Sequence, residues 1–177
     1  MSVSMIGWSH LPFGRHEKTV EDMVKAVTNA ALEDAGLEAQ DIDIVVVGHL
    51  NGGFEQQDVP SSLPFQADPG LRFTPSTRVE NACATGSAAI HQAMNAINAG
   101  RARRALVVGV EKMTDTPGPE IGDILLKCAY VREEADTPAG FAGVFGQLTH
   151  RYFQRYGDQS DVLAKIAAKN HANGVGN

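Results

Sequence analysis

The chain has 177 residues, 43% of them hydrophobic and 20% charged, and a formal net charge of −6. That length and apolar content suffice for one or two domains to bury a core and argue against a disordered chain. An acidic balance without a long basic tract argues against nucleic acid as a partner, and no apolar stretch is long enough to cross a membrane.

The elements alternate along the chain. Residues 2–7 read as a short strand. Thr19 is placed to cap a helix, with Asp22 three positions on. Val20, Met23, Val24, Val27 and Ala31 then share one helical face and Gly36 is a stop signal, which predicts a helix over 19–35. Residues 42–47 form a nearly continuous apolar run, as a strand covered on both faces requires, and this argues for a parallel sheet. The stretch 49–75 carries Asn51-Gly52-Gly53, Asp58-Val59-Pro60 and Pro69-Gly70, which predicts loop with a short helix near 63–67. A strand over 77–82, a helix over 84–99 and a strand over 105–110 make a βαβ unit with a right-handed crossover. The fold class expected is α/β, a mostly parallel sheet of four strands flanked by helices.

From Thr114 the character changes, so a boundary is placed between 1–113 and 114–177. Thr116-Pro117-Gly118-Pro119 opens a loop, and helices are predicted over 140–156 and 160–170. Phe141, Val144, Phe145, Leu148 and Tyr152 recur at helical spacing in the first of these and are assigned to core packing.

Chemistry concentrates at Arg78-Val79-Glu80-Asn81-Ala82-Cys83-Ala84-Thr85-Gly86-Ser87-Ala88-Ala89, where a strand hands over to a helix. Cys83 sits at the carboxyl end of its strand, where open α/β sheets place their ligands, and only small residues follow it. The first turn of the helix leaves backbone N–H groups uncovered, which favours a thiolate. Bringing a thiol from about 8.5 to about 7 needs roughly 2 kcal/mol, whereas a helix N-terminus typically supplies about 0.3–1 kcal/mol. A base or cation is therefore expected beside Cys83, from this fold or from another segment.

The other candidates are weaker. Cys128, in Leu125-Leu126-Lys127-Cys128-Ala129, is read as packing. Two cysteines in such different contexts do not suggest a disulfide framework, and with no signal peptide evident the expected compartment is reducing and soluble, the cytoplasm. Six histidines and two cysteines offer no paired spacing for zinc, so no metal site is expected. His49 is read as a hydrogen-bonded structural histidine, and His91 and His150 as ordinary helix residues. Residues 48–53 lack both a phosphate-loop lysine and the dinucleotide glycine spacing, so no nucleotide cofactor is implied. Arg101, Arg103 and Arg104 follow the helix ending near Gly100, where cations complement the helix dipole.

Asn81-Ala82-Cys83-Ala84-Thr85-Gly86-Ser87-Ala88 resembles the nucleophile segment of thiolases, above all the branch with the sterol-carrier-protein thiolases and acetyl-CoA acetyltransferases. Ser4-Met5-Ile6-Gly7 with Pro12-Phe13-Gly14-Arg15 is similar to the family's opening strand and loop. Val107-Val108-Gly109-Val110-Glu111-Lys112-Met113 is similar to its strand after the nucleophile helix, and Ala168-Lys169-Asn170-His171 to part of its loop domain. The resemblance implies a thiolase-like acyltransferase in which Cys83 is the catalytic residue and a coenzyme A thioester is the substrate, with no bound cofactor. The Cys83 backbone N–H is then one oxyanion donor, and the Arg101–Arg104 cluster gains an alternative role on coenzyme A phosphates.

Thiolases are about twice as long, and their second half carries a catalytic histidine in Gly-His-Pro and a second cysteine in Cys-x-Gly; neither motif occurs here. The resemblance thus implies an interrupted protein, with 114–177 the beginning of an inserted loop domain and the last strand of the first half and the whole second half absent. It also implies a homodimer through residues 77–81 or a homotetramer through the loop domain. Two alternatives stay open: a ketoacyl-synthase-type condensing enzyme, which shares the fold, and a non-catalytic half that needs a partner chain.

Overall fold

A computed structural model describes residues 2–176, which divide into two compact units with the boundary between Asp115 and Thr116. In the first, helix α1 spans Val20–Ala35. Its N-terminus is closed by a reciprocal pair: the Asp22 N–H donates to the Thr19 hydroxyl at 3.1 Å and the Thr19 N–H to the Asp22 carboxylate at 3.3 Å. Gly36 ends it at φ +63°, a left-handed conformation that suits glycine.

Strand β1, Ile44–Gly48, is the middle of a parallel sheet, flanked by β2, Ser76–Val79, and β3, Ala105–Gly109, in the order β2-β1-β3. Val45, Val46 and Val47 have no solvent exposure, which is what the apolar run encodes: such a strand must be covered on both faces. Val45 and Val47 pack with Leu106 and Val108 against Val20, Val24 and Leu32 of α1. Val46 faces the other way, onto Ala89 and Ala93 of helix α2, Thr85–Asn98. Each fully buried valine contributes about 1.5–3 kcal/mol. The connection from β2 through α2 to β3 passes over β1, so the two strands of the expected βαβ unit are not neighbours.

The sheet has three strands, not four. Residues 2–7, expected as a strand, have no regular secondary structure and join no ladder. They lie instead along α1: a Cβ on Gly7 would come within 2.8 Å of the Ala35 backbone, the Trp8 N–H donates to Asp34 at 2.8 Å, and the Ser9 hydroxyl donates to the Val27 carbonyl at 2.7 Å. A cleft of about 810 Å³ is lined by this segment, α1, α2 and the whole of β3. A strand needs a hydrogen-bonding neighbour, and here the cleft takes that place.

The short helix expected near 63–67 is a 3-10 helix at Pro60–Gln66, with Pro64 inside it. In the second unit, α3 (Gly118–Leu126), α4 (Val131–Glu134), α5 (Gly140–Tyr156) and α6 (Ser160–Asn173) follow in order; α3 and α4 occupy what read as loop. The apolar stripe of α5 is not closed over: no residue of α5 is buried, and Phe145, Leu148 and Tyr152 are more than half exposed. Phe141 and Phe145 instead stack edge-to-face at 5.1 Å within the helix.

At the amino ends of β1 and β3, the Asp43 carboxylate accepts the Arg103 and Arg104 N–H groups at 2.7 and 2.9 Å. These two backbone bonds, Arg104 first, hold its pKa below the ordinary aspartate value. The unfolded chain then binds the proton more readily, so this stabilisation is complete above the ordinary value and is lost as pH falls through the folded one. The midpoint of thermal unfolding is expected to drop on acidification below about pH 4, and Asp43→Asn to flatten that dependence, as calorimetry across pH would read. Thr19→Ala is expected to cost about 1 kcal/mol through loss of the cap, measured by urea denaturation.

Candidate active site

Because the three strands are parallel, their carboxyl ends gather His49–Glu55, Glu80–Thr85 and Val110–Asp115 at one edge of the sheet. Cys83 lies in the middle of a single 3-10 turn, Ala82–Ala84, between β2 and α2 and is exposed. The turn is tight: Ala82 has φ +46°, a conformation that costs an L-residue about 1–2 kcal/mol.

Thr85, largely buried, compensates it. Its hydroxyl donates to the Ala82 carbonyl at 2.6 Å and accepts the Asn81 N–H at 2.8 Å, while the Ala84 N–H donates to the Asn81 carbonyl at 2.9 Å and the Ala82 N–H to the Glu80 carboxylate. Thr85 in turn rests on β1, where an added Cβ at Gly48 would meet its Cγ2 and carbonyl oxygen at 3.2 Å. Beyond Cys83, a Cβ at Gly86 would meet nothing within 4 Å, so the approach to the helix start is open.

The loop after β1 is closed in on itself. Glu111 accepts the Leu50 N–H at 2.8 Å and the Asn51 N–H at 3.2 Å. The Gly52 N–H donates to the Leu50 carbonyl, the Phe54 N–H to the Asn51 carbonyl, and those of Gly53 and Glu55 to the Asn51 side chain. Asn51 accepts them from a left-handed backbone, φ +60°. Every N–H from Leu50 to Glu55 thus has an internal acceptor, and the glycine-containing loop presents no nest of free donors to a phosphate.

His49 departs from the sequence reading. It is 1% exposed, and neither ring nitrogen makes a hydrogen bond; Nε2 lies 3.4 Å from a Glu111 oxygen, an ion-pair distance without hydrogen-bond geometry. No side-chain base or cation among the described residues is hydrogen-bonded to Cys83. Arg104 is taken up at the opposite end of the sheet, 3.5 Å from Asp41, an exposed pair of small worth. Among the described residues no cluster of three metal-capable side chains forms, and no helix is long and apolar enough to cross a membrane. No disulfide joins Cys83 and Cys128.

Residues 3–177 match the family model described as "Thiolase, N-terminal domain". The chain belongs to that thiolase family. It is 33% identical over 178 residues to an acetyl-CoA acetyltransferase of Methanothermobacter thermautotrophicus, covering 99% of this chain and 45% of the relative. It is 27% identical to human sterol carrier protein 2, covering 94% of this chain and 31% of the relative. The chain therefore spans less than half the length of these relatives. Among solved structures, a 3-oxoacyl-[acyl-carrier-protein] synthase III from Aquifex aeolicus aligns with TM-score 0.50 at 24% identity, over 56% of this chain and 32% of that one. That likeness concerns the fold alone, the open, mostly parallel α/β sheet flanked by helices that thiolases and ketosynthases share.

Sequence reading missed Thr85, Arg78 and Glu111 as site residues in this thiolase half. The signal available was a threonine two positions after Cys83 and a charged residue at or just past each flanking strand. Thr85→Val removes both side-chain hydrogen bonds of the Cys83 turn and is expected to lower the unfolding free energy by about 1–3 kcal/mol. Urea titration checks this against the exposed control Ser87→Ala, which should stay within about 0.5 kcal/mol.

Proposed function

We propose that this chain is the nucleophile-bearing part of a cytoplasmic thiolase-like acyltransferase acting on coenzyme A thioesters, with Cys83 as the catalytic residue. The observation that carries the reading is the presentation of Cys83: exposed, on a strained turn held by Thr85, at the carboxyl end of a parallel sheet and ahead of α2. The match to the thiolase N-terminal domain and the acetyl-CoA acetyltransferase relatives support it.

In the proposed reaction the Cys83 thiolate attacks a carbonyl carbon, that of the thioester in acyl transfer or the 3-keto carbon of a 3-ketoacyl-CoA in thiolytic cleavage, and forms a C–S bond while the carbonyl π electrons move to oxygen. Backbone N–H donors, that of Cys83 among them, hold the oxyanion. Collapse breaks the bond to the leaving group, either the coenzyme A thiolate or, in thiolytic cleavage, the enolate of a shorter acyl-CoA, which takes up a proton. The acyl group stays on Cys83 as a thioester until a thiol or a carbon nucleophile removes it, so one hard step becomes two.

The proton transfers need a base that is not hydrogen-bonded to Cys83 here. Family resemblance assigns them to a histidine in Gly-His-Pro and a cysteine in Cys-x-Gly, motifs outside these 177 residues. By the same resemblance, the helical unit that follows Asp115 is the start of an inserted loop domain. By resemblance, two copies pair as a homodimer through residues 77–81, on the edge strand β2, and a homotetramer forms through the loop domain.

Incubation of the full-length protein with acetyl-CoA, followed by intact mass and peptide mapping, is expected to place one acetyl group on Cys83. Cys83→Ala is expected to abolish the adduct and lower acyl transfer by roughly 10³-fold or more. Undiminished transfer in that variant would refute the assignment, and strict dependence on a malonyl donor would point to a condensing enzyme instead.

A further inference from the structure

Two charged side chains of opposite sign, one from each strand flanking β1, grip the same short piece of backbone. From β2, the Arg78 guanidinium donates through Nε to the His49 carbonyl at 2.9 Å and through a terminal nitrogen to the Leu50 carbonyl at 2.7 Å. Just past β3, the Glu111 carboxylate accepts the Leu50 and Asn51 N–H groups at 2.8 and 3.2 Å. Leu50 is thus held by its donor and its acceptor at once. The His49 ring, 1% exposed, lies against the same carboxylate at 3.4 Å.

Hydrogen bonds to ionised groups are roughly twice as strong as neutral ones. Four of them fall on three consecutive residues at the carboxyl end of the sheet.

The tie reaches the nucleophile. The His49 N–H donates to the Val79 carbonyl at 3.3 Å, which anchors the exit of β2, the strand that leads into the Cys83 turn. Gly48, one residue before the gripped peptides, is the surface on which Thr85 rests, and Thr85 holds the Ala82 carbonyl and the Asn81 N–H. A shift of the backbone at 49–51 therefore moves the floor under the turn that carries Cys83.

We propose that Arg78 and Glu111 are positioning residues for the acyl transfer at Cys83: by clamping the His49–Asn51 peptides from both sides they set the height and tilt of the nucleophile turn. This rests on the acyltransferase reading above. Neither residue touches the reacting atoms. Their effect runs through β1 and Thr85, and a misplacement of about 1 Å at a reacting group costs about 10²-fold in rate.

The test uses the full-length protein and the variants Glu111→Gln and Arg78→Lys, the second of which leaves the carboxylate beside buried His49 intact. Three quantities are read: amide hydrogen exchange at Leu50 and Asn51, the rate of Cys83 alkylation by iodoacetamide, and kcat with KM for acyl transfer from acetyl-CoA. The expected result is exchange at least about tenfold faster, an unchanged alkylation rate, kcat lower by roughly 10- to 100-fold and KM within about threefold. Faster exchange with unchanged kcat would overturn the proposal while leaving the nucleophile assignment standing. A loss of kcat matched by loss of secondary structure in both variants would also overturn it, as a merely structural effect. Failure of the unsubstituted protein to acylate Cys83 would overturn the acyltransferase reading itself, and the positioning role with it.

Discussion

The close approach of α2 to β1 at Gly48 is the constraint on which the rest of the first unit depends. With no side chain at Gly48, and with Ala89 and Ala93 on the facing side of the helix, α2 lies near enough for Val46 to be sealed without solvent exposure. The same approach brings Thr85 down onto the strand, and from there its hydroxyl ties the turn that carries Cys83. Packing and site geometry are therefore one problem: residues small enough to let the layers meet also leave the start of the helix uncovered around the cysteine.

Charge is distributed over the sheet with the same economy. At the amino ends of β1 and β3, Asp43 joins the strands through the backbone of Arg103 and Arg104. At the carboxyl ends, Arg78 and Glu111 reach inward from the outer strands to the segment that follows the middle one. In both places a charged side chain bonds to main chain. Such bonds satisfy peptide groups that leave the sheet ladder and would otherwise lack partners. The outcome at the carboxyl end is a loop with its donors used up, beside a turn whose cysteine is exposed.

Much of this was legible in the sequence where the signal is local. Thr19 and Asp22 announce the start of α1 and Gly36 its end, because capping chemistry lies within four residues of what it caps. The apolar run of β1 declares a strand covered on both sides, and Cys83 falls where strand meets helix. Residues 2–7 misled because a strand exists only where a neighbour completes its ladder, which a local reading cannot see; the segment joins no ladder. The stripe of α5 misled in a similar way, since helical spacing marks an apolar face without saying how much of it is covered. The contacts of Arg78 and Glu111 span 28 and 61 positions of chain to Leu50, and no local pattern in one sequence carries a pairing of that reach. His49, read as hydrogen-bonded, shows the same limit: burial followed from the apolar strand before it, but its neighbour was set by a strand sixty residues away.

The contact between Gly7 and Ala35 bears on the order in which the chain comes together. Gly7 fits only against the finished last turn of α1, the Trp8 N–H finds Asp34 on that turn, and the Ser9 hydroxyl bonds to a carbonyl in the middle of the helix. None of these partners has its place until α1 is wound. Residues 7–9 thus take their seat on a helix built from residues that follow them, as a strap laid across it.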